Sequence, residues 1–494
     1  MRDSPRSPAT PLTQTGRLLV LFAAFLGWLC SGVQMAVMNL ASGPATEHFL
    51  RAGLLTGQPA ADPGAALGPR EPRAIAPVLG GLPNPTAPAV NAPVQQPHLG
   101  NLTALERSVL KAQSPLWFAR YNSLFLLGAA LGGLVFGWLG DRAGRVRAMG
   151  LSILCYSLFG GLGAFARSPQ ELLALRFLSG MGVGGMWPTG VALASEAWSD
   201  VSRPLLSGLL GTAANVGIVC MGVLAYMMPI SHDTWRTALF WTGTPLLLGL
   251  LVLARVPESP SWLQARLAQA QGGVPPRILR DLLRPPLLRM TVLGICLGAI
   301  PLLGGWGVTA WLIPWSDQVL GAGDPRAKAL TSILRAGGGS IGSLLGGWIA
   351  NLLGRRVTYF LISLVTLLIS EFIYFQLAPG QPLFSPMVFV VGGISTIFFG
   401  WLPLYLPELF PTHARAAGSG ISFNTGRILT ALGVLATGAI TAAFGGDYAA
   451  AGRVTSLIYA LGMVVILFAP DTSGRSLGQP SLPAHSPSDS PSRS

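Results

Sequence analysis

Three arginines stand where arginine is costly. Arg176, Arg335 and Arg427 fall inside long apolar stretches of a 494-residue chain. On insertion scales an arginine at a bilayer centre costs about 2.5–3.5 kcal/mol, so each needs a partner, a water-filled cavity or a job. A guanidinium presents paired planar donors that match a carboxylate, so the chemistry these residues could do is anion recognition. Arg427 is the leading candidate, because Asn424-Thr425-Gly426-Arg427 lies well within its stretch. Its competing role is a hydrogen bond to helix-end carbonyls. For Arg176 the competing role is structural, and Arg335, near one end of its stretch, is expected to snorkel. Trp306, Trp311 and Trp315 could stack on a ring or sugar face. Trp315 suits an interfacial aromatic belt, whereas Trp306 is deeper and is expected on a pathway. Paired carboxylates, a metal cluster or a nucleophile beside a base are not found in any loop, so an enzyme is not expected, nor a metal or cofactor.

Composition says what must position these groups. Hydrophobic residues make up 51% of the chain and charged residues 10%, well below the quarter usual in soluble proteins. Twelve apolar runs approach the roughly 20 residues that cross a bilayer as helix. They fall at about 17–40, 117–139, 146–166, 171–194, 205–229, 236–255, 289–313, 329–352, 357–377, 384–406, 417–440 and 452–469. The chain therefore reads as an all-α, multi-pass protein of the lipid bilayer. Residues 17–40 are expected to be a retained first span rather than a removed signal peptide. The net charge of +13 gathers in alternate loops, at Arg142, Arg145 and Arg147, then from Arg255 to Arg289, then at Arg355 and Arg356. That asymmetry places both termini in the cytoplasm. A basic patch interleaved with aromatics is missing, so nucleic acid is not expected as a partner. Cys30, Cys155, Cys220 and Cys296 all lie in spans and read as small core residues.

The loop punctuation is written twice. Gly137-Trp-Leu-Gly-Asp141-Arg142-Ala-Gly144-Arg145 returns about 210 residues later as Gly347-Trp-Ile-Ala-Asn351-Leu-Leu-Gly354-Arg355. Glu196 precedes Arg203 as Glu408 precedes Arg415, and Pro257-Glu258-Ser259-Pro260 answers Pro470-Asp471-Thr472-Ser473. Matched pairs at such regular offsets indicate a tandem repeat of six spans each. Gly137 and Gly140 are expected to permit close helix packing, Gly144 a tight reversal, and Asp141 a capping or pairing role at a helix end. The organisation that follows is a tail at 1–16, a six-helix bundle at 17–255, a linker at 256–288, a second bundle at 289–470 and a tail at 471–494. Residues 41–116, with ten prolines between Pro59 and Pro97, form an external insertion with little to bury. The short connection between spans 7 and 8 is expected to hold about fifteen residues.

The chain resembles the major facilitator superfamily. Gly137-x-x-x-Asp141-Arg142-x-Gly144-Arg145 is similar to that superfamily's loop motif, and Arg176-x-x-x-Gly180-x-Gly182-x-Gly184-Gly185 to its fourth-helix motif. Pro257-Glu258-Ser259-Pro260-Ser261-Trp262-Leu263, Pro407-Glu408-Leu409-Phe410-Pro411-Thr412 and Pro470-Asp471-Thr472-Ser473-Gly474-Arg475 resemble signatures of its sugar-porter and metabolite:proton symporter branches. The resemblance implies that helices 1, 4, 7 and 10 line a central cavity flanked by 2, 5, 8 and 11. It implies gate roles for Asp141, Arg145, Glu196 and Arg203 in the first half, around Gly137, Arg142 and Gly144. In the second half it implies them for Arg355, Glu408 and Arg415, around Asn351 and Gly354. Since Asn351 replaces an acid, the second gate is expected to be the weaker. The branch's helix 1 carboxylates are replaced by Ser31 and Gln34, and Glu371 is the acid that lies clearly inside a span. Proton symport, which the branch implies, therefore lacks its titratable group, and uniport or exchange gains ground.

These readings converge on a single-chain secondary transporter in the inner (plasma) membrane. It would move a small hydrophilic solute by alternating access, with a carboxylate or acidic sugar ahead of a neutral sugar. Substrate contacts are expected from Arg427, Arg176, Asn424, Trp306 and Gln34. The alternatives are a drug or metabolite efflux antiporter, disfavoured because helix 5 has no Gly-Pro step, and a non-transporting nutrient sensor, disfavoured by the short tail.

Overall fold

The computed structural model describes residues 12–53, 104–198, 203–269, 281–285, 287–411, 414–470 and 472. Most of the 41–116 insertion, both tails, part of the linker and the side chain of Arg203 lie outside the described residues. The first repeat supplies α1 (Gln14–Arg51), α2 (Ala104–Ala143), α3 (Arg145–Leu162), α4 (Pro169–Ala197), α5 (Arg203–Met227) and α6, which runs as Trp235–Trp241 and Leu246–Arg255. A short helix, Pro260–Gln269, follows. The second repeat supplies α7, broken into Leu287–Gly307 and Leu312–Leu320 by a 3-10 turn, then α8 (Ala327–Leu353), α9 (Arg355–Gln376), α10 (Phe384–Glu408), α11 (Arg415–Ala443) and α12 (Tyr448–Ser456 and Ile458–Leu467). Ten of these spans are long and apolar enough to cross a membrane. The other two, α4 and α8, are the glycine-rich helices that carry Arg176 and Arg335.

The repeat is visible in the backbone. Gly144 joins α2 to α3 at φ +113°, and Gly354 joins α8 to α9 at φ +83°. Side chains other than glycine avoid that region. At Gly144 an added Cβ would also fall 2.2 Å from the Glu258 carboxylate. Close helix crossings repeat as well. A Cβ on Gly128 or Gly132 of α2 would meet the carbonyls of Phe177 and Met181 on α4 at 2.0 and 1.9 Å. On α8, a Cβ on Gly338 or Gly342 would meet the carbonyls of Phe389 and Gly393 on α10 at 2.0 and 1.9 Å. With lipid on the outside, such backbone approach holds each bundle together through dispersion rather than hydrophobic contrast. Around the outside, Phe22, Trp138, Leu247, Trp348 and Phe468 are more than half exposed and form an apolar belt.

Four sequence expectations change here. The 41–116 insertion is shorter than its polarity suggests, because 41–51 and 104–116 are helical. Tertiary packing extends α1, whose Phe49 lies 5.5 Å from the ring of Trp235. The connection between α7 and α8 shrinks to residues 321–326, since α7 continues past its 3-10 turn. Gly137 does not serve close packing, as an added Cβ would meet nothing within 4 Å. Trp315 does not sit in an interfacial belt; it is buried, stacked on Tyr374 at 5.5 Å and edge-on to Phe384.

Two seams join the bundles. Along α2 and α11, Ser123 donates to the Ala431 carbonyl (2.8 Å), and Gly438 lies against Ala119. Along α5 and α8, Asn215 donates to Ser343 Oγ (3.0 Å) and Thr212 to the Ser340 carbonyl (3.2 Å). What remains between the seams is the space that the arginines and tryptophans enter.

Candidate functional site: a cationic, aromatic cavity between the bundles

A cavity of about 150 Å³ lies between the halves, lined from α1, α2, α4, α5, α7, α8, α10 and α11. Six rings enter its walls, Trp28, Phe125 and Trp187 from the first half and Trp306, Phe399 and Phe423 from the second. Trp28 and Trp187 pack with centroids 4.8 Å apart, and Phe125 approaches Trp306 at 6.0 Å. Asn39, Asn215, Ser395 and Thr396 add amide and hydroxyl groups. Among the described residues, two charged side chains line it, Arg335 and Arg427, and no Asp or Glu does.

Arg427 is 6% exposed and lies 5.0 Å from the ring centroid of Phe423. Its Nη1 donates to the Ala129 carbonyl across the bundle seam (3.1 Å) and to Asn424 Oδ1 one turn back (3.2 Å). Asn424 in turn donates to the Gly420 carbonyl (3.0 Å) and abuts Gly133 of α2. Asn424 therefore positions Arg427 and does not itself line the cavity. Trp306 does line it, half-buried, as its depth in the sequence suggests.

Arg335 overturns the expectation of snorkelling. It is 8% exposed and faces the cavity, and its buried Nε has no hydrogen-bond partner. The reason is depth: α8 begins at Ala327, so Arg335 lies more than two turns inside the helix. Its backbone lies where α8 crosses α10 closely, since a Cβ on Gly392 would meet the Arg335 carbonyl at 2.1 Å.

Arg176 and Gln34 stand behind the cavity wall and do not line it. Arg176 is 1% exposed, stacks under Phe125 at 4.3 Å and donates to the Gln34 carbonyl (3.2 Å). Gln34 is fully buried on the other face of α1, donating to the carbonyls of Tyr156 and Thr242 (2.9 Å each) and accepting from Ser179 (3.1 Å). Both residues hold α1, α3, α4 and α6 together. A second, wider cavity of about 420 Å³ lies away from the basic loops, holds the Lys328–Asp317 pair (3.2 Å) and shares Asn39 with the first.

The paired motifs form two clusters at the basic end of the bundle. Arg145 pairs with Asp141 one turn earlier and lies 3.8 Å from Glu196. Glu258 accepts the Arg145 N–H (3.0 Å) and that of Val146, and Trp262 Nε1 donates to the Asp141 carbonyl (2.9 Å). The linker thus caps α3. Arg142 is exposed, 4.8 Å from the Trp138 ring. In the second half, Arg355 meets Glu408 at 3.2 Å and donates to Asn351 Oδ1 (2.7 Å). Thr472 also donates to Glu408, and Arg415 donates to the Pro407 carbonyl (3.2 Å). The second cluster's arginine–glutamate contact is shorter and more buried than the first's, while the first holds the additional Arg145–Asp141 pair, for which Asn351 offers Arg355 an amide oxygen instead.

Twelve helices in two six-helix repeats around a central cavity define an architecture, and a family model described as Major Facilitator Superfamily matches residues 117–433. The chain belongs to the major facilitator superfamily. It is similar to a "Probable 4-methylmuconolactone transporter" of Cupriavidus pinatubonensis, 30% identical over 375 residues, covering 74% of this chain and 85% of that one. It is also similar to the cis,cis-muconate transport protein of Acinetobacter baylyi, 29% identical over 328 residues, covering 64% and 78%. Among solved structures, the xylose transporter XylE from E. coli in a partially occluded inward-open conformation matches at TM-score 0.64 and 16% identity, over 94% of this chain and 100% of that one. That likeness confirms the fold. As a major facilitator protein the chain is a multi-pass membrane transporter of small metabolites, not an enzyme.

Proposed function

We propose that this chain carries a small unsaturated or aromatic carboxylate across the inner membrane by alternating access, acting as a single chain with its basic end in the cytoplasm. The observation that carries this reading is the pairing of Arg335 and Arg427 with six aromatic rings in a cavity that no acid lines among the described residues. Guanidinium groups take the carboxylate, and rings take the planar body by stacking. A neutral sugar would leave both charges uncompensated. The substrates named for the two similar proteins, a muconolactone and muconate, are carboxylates of this unsaturated kind. The gates of this reading are the cluster of Asp141, Arg145 and Glu196 in one half, with Arg203 proposed to join them, and that of Asn351, Arg355, Glu408 and Arg415 in the other, at the end where the bundles would part.

The test is transport by purified protein in liposomes. Labelled benzoate and hexadienedioate should be taken up and should compete with each other, while xylose and glucuronate should do neither. Uptake of the sugars but not the planar acids would overturn the reading.

A further inference from the structure

Arg176, Arg335 and Arg427 are all more than nine-tenths buried within the spans, and none has a carboxylate partner among the described residues. Arg427 and Arg176 lean on carbonyls and rings. Arg335 has neither an ion-pair nor a hydrogen-bond partner among the described residues, and its Nε is buried. Among the described residues, no acid lines the cavity that could neutralise these groups or take a proton on their behalf. Glu371, a carboxylate inside α9, is engaged with Ser456 of α12 and stands outside the cavity.

We infer that the bound carboxylate is the missing counter-ion of Arg335 and Arg427, so that the loaded protein reorients and the empty one does not: the chain works as an exchanger of organic anions. This rests on the carboxylate reading above. Alternating access requires the cavity to pass through a closed state between its two openings. Closing it strips water from whatever the walls carry, and desolvation penalises a charge that has no partner. With a carboxylate in place the two guanidiniums close around an opposite charge. Empty, Arg335 closes on nothing. The barrier therefore differs between loaded and empty forms, and the same difference applies in both directions. One anion moves in as another moves out, with no proton or net charge transferred.

The experiment measures entry of labelled benzoate into proteoliposomes loaded either with unlabelled benzoate or with chloride at equal ionic strength. Benzoate-loaded vesicles should fill at least tenfold faster, a barrier difference of about 1.4 kcal/mol, and neither a pH gradient nor a potassium diffusion potential should change that rate. Arg335→Gln should bring the two rates together by raising entry into chloride-loaded vesicles, and Arg335→Lys should keep them apart. Equal rates in the unmutated protein, or accumulation driven by a pH gradient in chloride-loaded vesicles, overturn exchange while leaving carboxylate transport standing. If the variants do not fold, the unmutated ratio decides alone. Protein that neither moves benzoate in any vesicle nor is stabilised by it against heat overturns the carboxylate reading and the exchange with it.

Discussion

Asn424 holds Arg427 from one turn away on α11, its Oδ1 3.2 Å from the guanidinium, while the Ala129 carbonyl on α2 holds the same nitrogen at 3.1 Å. The arginine is thus pinned on two sides, one of them across the seam between bundles. Its remaining donors are free for the cavity, where a ligand carboxylate would find them already oriented.

This arrangement separates two roles. Arg427→Ala should abolish carboxylate binding, and Asn424→Ala should weaken it about tenfold to a hundredfold. A hydrogen bond to a charged group is worth about 1.5–3 kcal/mol. Asn424→Asp should not restore affinity, because its charge would compete with the ligand for the guanidinium. Titration calorimetry in detergent reads all three, and equal affinities for Asn424→Ala and the unmutated protein would remove the positioning role.

The motif glycines should behave unequally. Gly144→Ala forces a Cβ onto the Glu258 carboxylate at φ +113°, so it should lower the melting temperature, with about 1–3 kcal/mol lost to backbone strain alone. Gly354→Ala should do the same through its φ of +83°. Gly137→Ala, facing open space, should leave the melting temperature unchanged. Thermal unfolding followed by size-exclusion chromatography compares them. A large loss at Gly137 would show that it contacts something in another conformation.

The two charged clusters should rank in the order of their burial. The Arg355 and Glu408 side chains are 14% and 8% exposed, against 22% and 25% for Arg145 and Glu196. Removing one partner of a buried pair costs about 3–5 kcal/mol, while exposed pairs contribute about 0–1 kcal/mol. Glu408→Ala should therefore destabilise the protein well beyond Glu196→Ala, and a double-mutant cycle between positions 355 and 408 should give the larger coupling. A larger coupling between 145 and 196 would contradict the ranking.

The sequence carried the architecture because its signals are local. Apolar runs, alternate basic loops and the doubled Gly144 and Gly354 punctuation each depend on a few neighbouring residues, and the structure repeats them in the backbone. The site was legible in part. Arg427 falls at the centre of its run and Trp306 deeper than Trp315 in its own, and both line the cavity. Arg335 was misplaced because an apolar run fixes neither its helix's ends nor its depth: α8 begins two residues before the run, at Ala327, and each added residue carries Arg335 about 1.5 Å deeper. Gln34 and Arg176 show the opposite limit: their depth was right, but which face of α1 or α4 turns inward is set by the neighbouring helices. The strength of the Glu408 cluster was likewise hidden, since Thr472 and Arg355 reach it from distant parts of the chain.

The tryptophans of α7 allow the sharpest separation of ligand binding from folding. Trp306 is half-buried on the cavity wall, 6.0 Å from Phe125, and its carbonyl accepts from Trp311 Nε1 at 3.1 Å. The indole itself is therefore replaceable without disturbing that hydrogen bond. Trp315, two turns on in chain terms, is 6% exposed between Tyr374 and Phe384 and touches no cavity that Trp306 lines. Emptying such a site costs about 3–5 kcal/mol through lost packing and the void left behind. Trp315→Ala should thus lower thermal stability steeply and leave the benzoate affinity of the surviving folded fraction intact. Trp306→Ala should do the reverse, losing about 1–3 kcal/mol of binding if a planar ligand stacks there as bases stack on aromatic side chains. Trp306→Phe should recover most of that loss. Melting curves with and without ligand distinguish the two residues, and a Trp306→Ala protein that binds benzoate as tightly as the unmutated one would take the ring out of the site.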